Sequence, residues 1–248
     1  MKTEYGIQMY SLRDMTKDDL EAGLRTVAEQ GYKYVEFAGF FGHSAETVAS
    51  WLKKYGLTVS GTHTGAAELA PDKIADTIAY HKIIGNKNII IPGHDTSTDE
   101  KLDGLIDIIN YAQPILAENG IRLGYHNHSH EFLKTSYGKY VEEEIWNRTK
   151  ADIELDTFWA YNAGLDPVDM MEKMKERLTF VHLKDGFRAE GDKKAVGVSL
   201  GSGAAPVAAV REKALSMGII MVVESEGCDP TGAEEVQRCI SYLRTLDC

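Results

Sequence analysis

The chain has 248 residues, 43% of them hydrophobic and 26% charged, which is enough for one large domain with a full core. A formal net charge of −11 repels phosphate backbones and argues against nucleic-acid binding. No apolar run approaches the length of a membrane span. The opening MKTEYGIQMY lacks the apolar core of a signal peptide, and Cys228, Cys239 and Cys248 show no C-x-x-C spacing, so a cytoplasmic protein with reduced thiols is expected.

The first strand candidate is 5–10. A helix is predicted over 17–30, where Leu20, Leu24 and Val27 recur at helical spacing. Thr16 with Asp19 resembles a capping box there, and Gly31 marks the stop. Strand candidates at 32–37 and 57–63 come next, then a helix over 71–84 that starts with Pro71 and stops at Gly85. After the strand at 88–94, residues 98–118 put Leu102, Leu105, Ile106 and Ile109 on one helix face, with Pro114 expected to kink or shorten it. Strand candidates at 121–128 and 151–156 precede a helix at 166–176, and another strand is expected at 178–184. The loop LGSGAAP (200–206) leads into a helix starting near Ala205. Its amides are able to hold a phosphate or hydroxyl, or the loop is merely flexible. A strand at 219–225 and a helix at 229–245 end the series.

Eight strands alternating with helices predict an α/β fold, a single-domain (β/α)8 TIM barrel over 1–248. An open doubly wound sheet would bring a glycine-rich loop after an early strand, whereas SLRDMTKDD has no glycine.

In such barrels the active site lies at the C-terminal ends of the strands. Of the eight histidines, His43, His63, His94, His126, His128, His130 and His182 fall at or just after a strand candidate, and only His81 falls inside a helix. Alternation along each strand sorts these further. His126 and His128 face the interior while Leu123 and Tyr125 face the helices. Asp152, Glu154 and Asp156 share the inward face of their strand, as do Phe180, His182 and Lys184 of theirs. Glu224 closes the last strand, Glu36 the second, and Gln8 lies near the end of the first. Carboxylates that converge are costly unless protonated or metal-bound, so Asp156, His182 and Glu224 together point to a divalent cation. Taken singly, a strand-end histidine is more often structural. His43 and His130 read as solvent-facing, His81 as structural, and Asp152 as part of a salt-bridged layer. Phe40, Phe41, Phe158 and Trp159 read equally as packing or as walls of a sugar pocket.

The ordered motifs GIQMYSLRD, VEF, ELDTFW, VHLKD and VVESEG resemble the sugar phosphate isomerase/epimerase group of the xylose-isomerase-like barrel superfamily, over the whole chain. The resemblance implies a divalent metal held by Glu, Asp, His and Glu from strands five to eight, with Asp156, His182 and Glu224 matching the last three. It also implies that Lys184 lies near substrate and that glutamates flanking the metal move a proton next to a carbonyl. Strand five departs from the pattern, because His126 stands where many members carry the ligand. Glu131 is expected to supply it instead, with His126 as the competitor.

The leading expectation is therefore a metal-dependent sugar or sugar phosphate isomerase or epimerase. Its metal ligands are Glu131, Asp156, His182 and Glu224. Glu131, Glu224 and His128 act catalytically, and Gln8, Glu36, His63, His94, His126 and Lys184 bind substrate. Mn2+ leads as cofactor, with Mg2+, Co2+ or Zn2+ as alternatives. A small carbohydrate is the expected partner, in a possible homo-oligomer, without nucleic acid or membrane. The alternatives are a lyase or dehydratase on a keto-sugar or inosose, an endonuclease-IV-like phosphodiesterase, disfavoured by charge, and a sugar-binding protein without catalysis.

Overall fold

In a computed structural model describing residues 3–247, the eight strand candidates form one closed parallel barrel. Residues 1, 2 and 248, and with them Cys248, lie outside the described residues. The barrel strands begin with β1 (Gly6–Gln8), β2 (Tyr34–Phe37), β3 (Thr58–His63), β4 (Asn88–Ile91) and β5 (Arg122–His126). They continue with β6 (Asp152–Asp156) and β7 (Leu178–Leu183). A short antiparallel hairpin, β8 (Asp185–Phe187) with β9 (Val196–Val198), leaves the barrel before β10 (Ile220–Val223) closes it against β1. The hairpin was not anticipated, because DGF and VGV each centre on a glycine, a residue that strands disfavour.

Alternation places the core outside the strands. Ile7, Val35, Leu155, Val181 and Val223 pack under the helices in one apolar cluster, and Ile89, Ile91, Leu123 and Tyr125 in another. The opposite faces fill the barrel. Ile90, Phe180 and Val222 form its apolar layer, and polar side chains occupy the rest. Burial of this area is the main stabilising term.

The helices depart from expectation at their ends. The helix Leu20–Gln30 is capped by Asp19, whose carboxylate accepts from the Ala22 amide at 2.8 Å, and Thr16 takes no part. Gly31 ends it at φ 91°, a conformation that favours glycine. The helix expected from Pro71 starts at Ile74. Asp99–Glu118 runs through Pro114 without being shortened. Helices Ala45–Tyr55 and Val141–Arg148 were not foreseen. No helix of the described residues is long and apolar enough to cross a membrane.

The glycine-rich loop also differs from expectation. The amides of Gly201, Gly203 and Ala205 donate to the Asp185 carboxylate at 2.9, 3.0 and 3.0 Å, and the helix begins only at Val207. Its anion-binding capacity is taken up by a residue of the same chain.

Candidate active site

Register brings the polar residues together in layers. Gln8 sits beside Glu36, His126 beside Glu154, and Asp156 beside His182. The deeper layer is a hydrogen-bonded set. Gln8 donates to Glu36. His63 Nε2 lies 2.8 Å from Glu36 and 2.7 Å from Glu154. His126 Nδ1 lies 3.2 Å from Glu154, and His182 Nε2 lies 3.3 Å from both Glu36 and Glu154.

Nearer the mouth, His182 Nδ1 lies 3.3 Å from Glu224. The Lys184 ammonium reaches Glu226 at 2.6 Å, Glu224 at 3.3 Å and Asp156 at 3.6 Å, and sits 4.6 Å over the Trp159 ring. Two overlapping groups have ligand atoms within 4.8 Å of one another. One is His126, Asp156, His182 and Glu224; the other is His63, His126, Glu154 and His182. Three carboxylate oxygens here are buried without a hydrogen-bond donor: Glu36 Oε2, Glu154 Oε1 and Asp156 Oδ2. Free buried acceptors among imidazoles are what a divalent cation satisfies.

The electrostatics follow from these neighbours. Burial works against charge on every member, and partners decide the outcome. On His63, Glu36 and Glu154 outweigh burial and raise the imidazole to about 10. On His126, burial wins, helped by the other two imidazoles, and its pKa falls to about 3. Burial raises the Glu224 pKa, but Lys184 and His182 reverse this and hold it well below the usual carboxylate range. Asp156 is pushed up to about 7 by burial and by Glu224, against Lys184.

A cavity of about 600 Å³ opens above this set, lined by Tyr10, Arg13, His63, His126, His128, Glu224 and Glu226 among others. Of the residues expected from sequence, Glu224, His128, His63 and His126 line it. Asp156, His182 and Lys184 are buried around the ligand groups, and Gln8 and Glu36 lie in the deeper layer. Glu131 and His94 lie apart. Glu131 belongs to neither ligand group; it accepts from Tyr125 Oη at 3.1 Å and the His128 amide at 2.8 Å, with His130 Nε2 at 3.1 Å. His94 lines a separate depression with His130 and Tyr137. Trp159 faces Lys184, Phe158 is buried, and Phe41 is exposed.

Three participants escaped the sequence reading. Glu154 shares the inward face with Asp152 and Asp156 but has no site role in the sequence expectation, although it bonds three histidines. Glu226, two residues after Glu224, carried a signal in that spacing. Arg13 carried none; it reaches the mouth from the turn after β1, donating to the Tyr10 and Glu226 carbonyls.

A closed parallel barrel with carboxylates and imidazoles gathered at the C-terminal mouth defines a β/α-barrel of the kind that builds active sites from strand ends. The chain belongs to the Xylose isomerase-like TIM barrel family, whose model matches residues 24–246. A sugar phosphate isomerase/epimerase from Parabacteroides distasonis ATCC 8503 is 25% identical, with a TM-score of 0.81 over 98% of both chains. An L-ribulose 3-epimerase shares the fold at 15% identity, with a TM-score of 0.74 over 98% of this chain and 94% of that one. An inosose dehydratase from Geobacillus kaustophilus (strain HTA426) is 24% identical over 186 residues, 65% of this chain. The chain spans only 60% of that relative's length. The family and these neighbours are enzymes, of the isomerase/epimerase and dehydratase kinds.

Proposed function

We propose that the protein is a divalent-metal-dependent isomerase or epimerase of sugars or sugar phosphates, acting by proton abstraction next to a carbonyl. The observation that carries this reading is the convergence of His126, Asp156, His182 and Glu224 within 4.8 Å at the barrel mouth. The donor set fits an ion, because Asp156 Oδ2 is a buried acceptor that makes no hydrogen bond, with the Lys184 ammonium standing off at 3.6 Å. In this reading His126 takes the strand-five position and Glu131 does not, since Glu131 already has three partners of its own. Two imidazoles and two carboxylates suit Mn2+, with Co2+, Zn2+ or Mg2+ as alternatives. When bound, the cation supplies electrostatic stabilisation to the oxygen anion that develops as the proton leaves.

The chain's own residues supply the rest. Glu224, kept ionised by Lys184 and His182, accepts the proton from the substrate carbon. His128 lines the same cavity and its Nδ1 has no partner. Burial lowers its pKa, so the ring is neutral at pH 7 and able to take or return a proton. His63, Lys184 and Glu226 orient substrate hydroxyls, while Gln8 and Glu36 fix the imidazoles behind them. Buried cations on His63 and Lys184 also favour an anionic enediolate over free solvent. The partner is thus a small carbohydrate. A cytoplasmic setting suits the free thiols of Cys228 and Cys239.

A second reading, elimination from a keto-sugar or inosose, shares the first step. It is favoured by the imidazole at strand five and by the dehydratase relative. Incubating metal-loaded protein with ketoses and inososes in D2O tests both. Deuterium entering beside the carbonyl, with the skeleton and hydroxyl count retained, is expected for isomerisation. An enone product identifies the lyase, and absence of exchange across the panel together with absence of bound metal refutes the proposal.

A further inference from the structure

A second cavity, of about 510 Å³, lies outside the barrel. It is bounded by the turn His130–Phe132 and the helices Val141–Arg148 and Pro167–Lys173. Phe132, Tyr140, Trp146, Leu165, Met170 and Met174 give it apolar walls, and Glu131 and Glu142 also line it. Both carboxylates are buried, Glu131 at 0% and Glu142 at 4% exposure. Their surroundings differ. Glu131 is fully engaged by Tyr125, the His128 amide and His130. Both oxygens of Glu142 are buried with no hydrogen-bond donor.

We infer that this cavity binds a small organic monocation, an ammonium or guanidinium on a short hydrocarbon stem, with Glu142 as its counter-ion. A buried carboxylate with two free oxygens is costly, and an N–H cation would satisfy both of them. The apolar walls call for a hydrocarbon body rather than a hydrated ion. A divalent metal is a poor fit, because Glu131 has no coordination to spare and hard cations want more oxygen ligands. The walls tolerate positive charge: the Arg177 guanidinium already stacks 3.7 Å over Trp146, while its own donors go to the Thr149 and Trp146 carbonyls. The other charged groups around the site are Glu143 and Lys173 on the lining and His130 on Glu131. Because Glu131 holds the His128 amide, an occupant here borders the segment that carries a mouth residue.

Isothermal titration of the full chain with n-butylammonium and n-butylguanidinium, in mildly alkaline buffer, tests this. Saturable one-site binding of at least one cation is expected, weakened at least about tenfold by Glu142→Gln. The neutral isostere n-butanol should not bind at the same concentrations. Met170→Trp, which narrows the cavity and leaves both carboxylates in place, should also lose binding. Failure of both cations to bind overturns the inference. So does wild-type affinity in either variant, or n-butanol binding as tightly as the cations.

Discussion

The barrel mouth and the second cavity, outside the barrel, hold the same chemical group in opposite states. Glu224 and Glu142 are both buried carboxylates, 5% and 4% exposed. Burial raises the pKa of each. At the mouth, Lys184 and His182 overcome that effect and keep Glu224 ionised. In the second cavity, the Glu131 carboxylate adds to burial and Arg177 offsets it only in part, so Glu142 rises to about 8. Burial alone therefore does not decide whether a carboxylate can serve as base or ligand; the nearest cation does. The mouth is built to hold negative charge, whereas the second cavity leaves both Glu142 oxygens without a partner.

The largest break of this contrast is expected from Asp156→Asn. Asparagine preserves the cap that Asp156 Oδ1 makes to the Trp159 amide at 2.9 Å, so the fold should survive. It removes a charge from the proposed ligand group, worth several kcal/mol of transition-state stabilisation. Turnover is expected to fall about a thousandfold with bound metal reduced. Metal content and turnover measured on one preparation check this, and an Asn variant retaining both would remove Asp156 from the site.

Next in size is Lys184→Met. Lys184 is 1% exposed and balances Asp156, Glu224 and Glu226. Its removal leaves buried carboxylates short of a cation, at a cost of roughly 3–5 kcal/mol in the metal-free protein. Mn2+ should recover part of that loss, so the melting temperature of the variant should rise more on metal addition than that of the wild type. Equal rises would mean that lysine and metal do not act on the same charges.

Glu142→Gln runs in the opposite direction. A native pKa of about 8 against an unfolded value near 4.5 means the folded chain binds more protons through that window. Stability contributed by this group is therefore fully present below the lower value and is lost as pH rises toward the upper one, by a few kcal/mol in all. The Gln variant lacks this loss. Denaturant titrations at several pH values should show the difference between variant and wild type growing with pH across the window and then levelling. A constant difference would show that Glu142 does not titrate there.

The barrel was legible because two periodicities coincide in the strands: apolar side chains turn toward the helices and polar ones toward the axis. Leu123 and Tyr125 against Gly124, His126 and His128 is the clearest case: it turned His126 inward, where it stands with Asp156, His182 and Glu224, although the sequence expectation made His126 a substrate contact and Glu131 the ligand. Alternation stops where the strand stops. Glu131 lies in a short turn after β5, and there sequence gives distance along the chain but no direction. Its carboxylate folds onto Tyr125 and the His128 amide, away from the ligand group. Asp185 shows the same limit, since only the fold reveals that the glycine-rich amides surround a carboxylate of this chain. Glu142 was invisible for another reason: it stands in a run of three glutamates with no apolar alternation to mark an inward face, yet it is buried.

The smallest expected effect is at Glu226, the mouth residue that extends the pattern of Glu224 past the strand. Its side chain is 35% exposed and pairs with Lys184 at 2.6 Å, so solvent screens much of the interaction. Glu226→Gln keeps a hydrogen-bond acceptor for Lys184 while removing the charge. Stability should change by under about 1 kcal/mol. The kinetic effect should fall on KM rather than on kcat, because the proposed role of the residue is to orient hydroxyls and not to move the proton. A kcat loss comparable to that of Glu224→Gln would instead assign Glu226 a share in proton transfer. Lys184 would then be the group that links the two carboxylates as acid and base, since it lies within 3.3 Å of both.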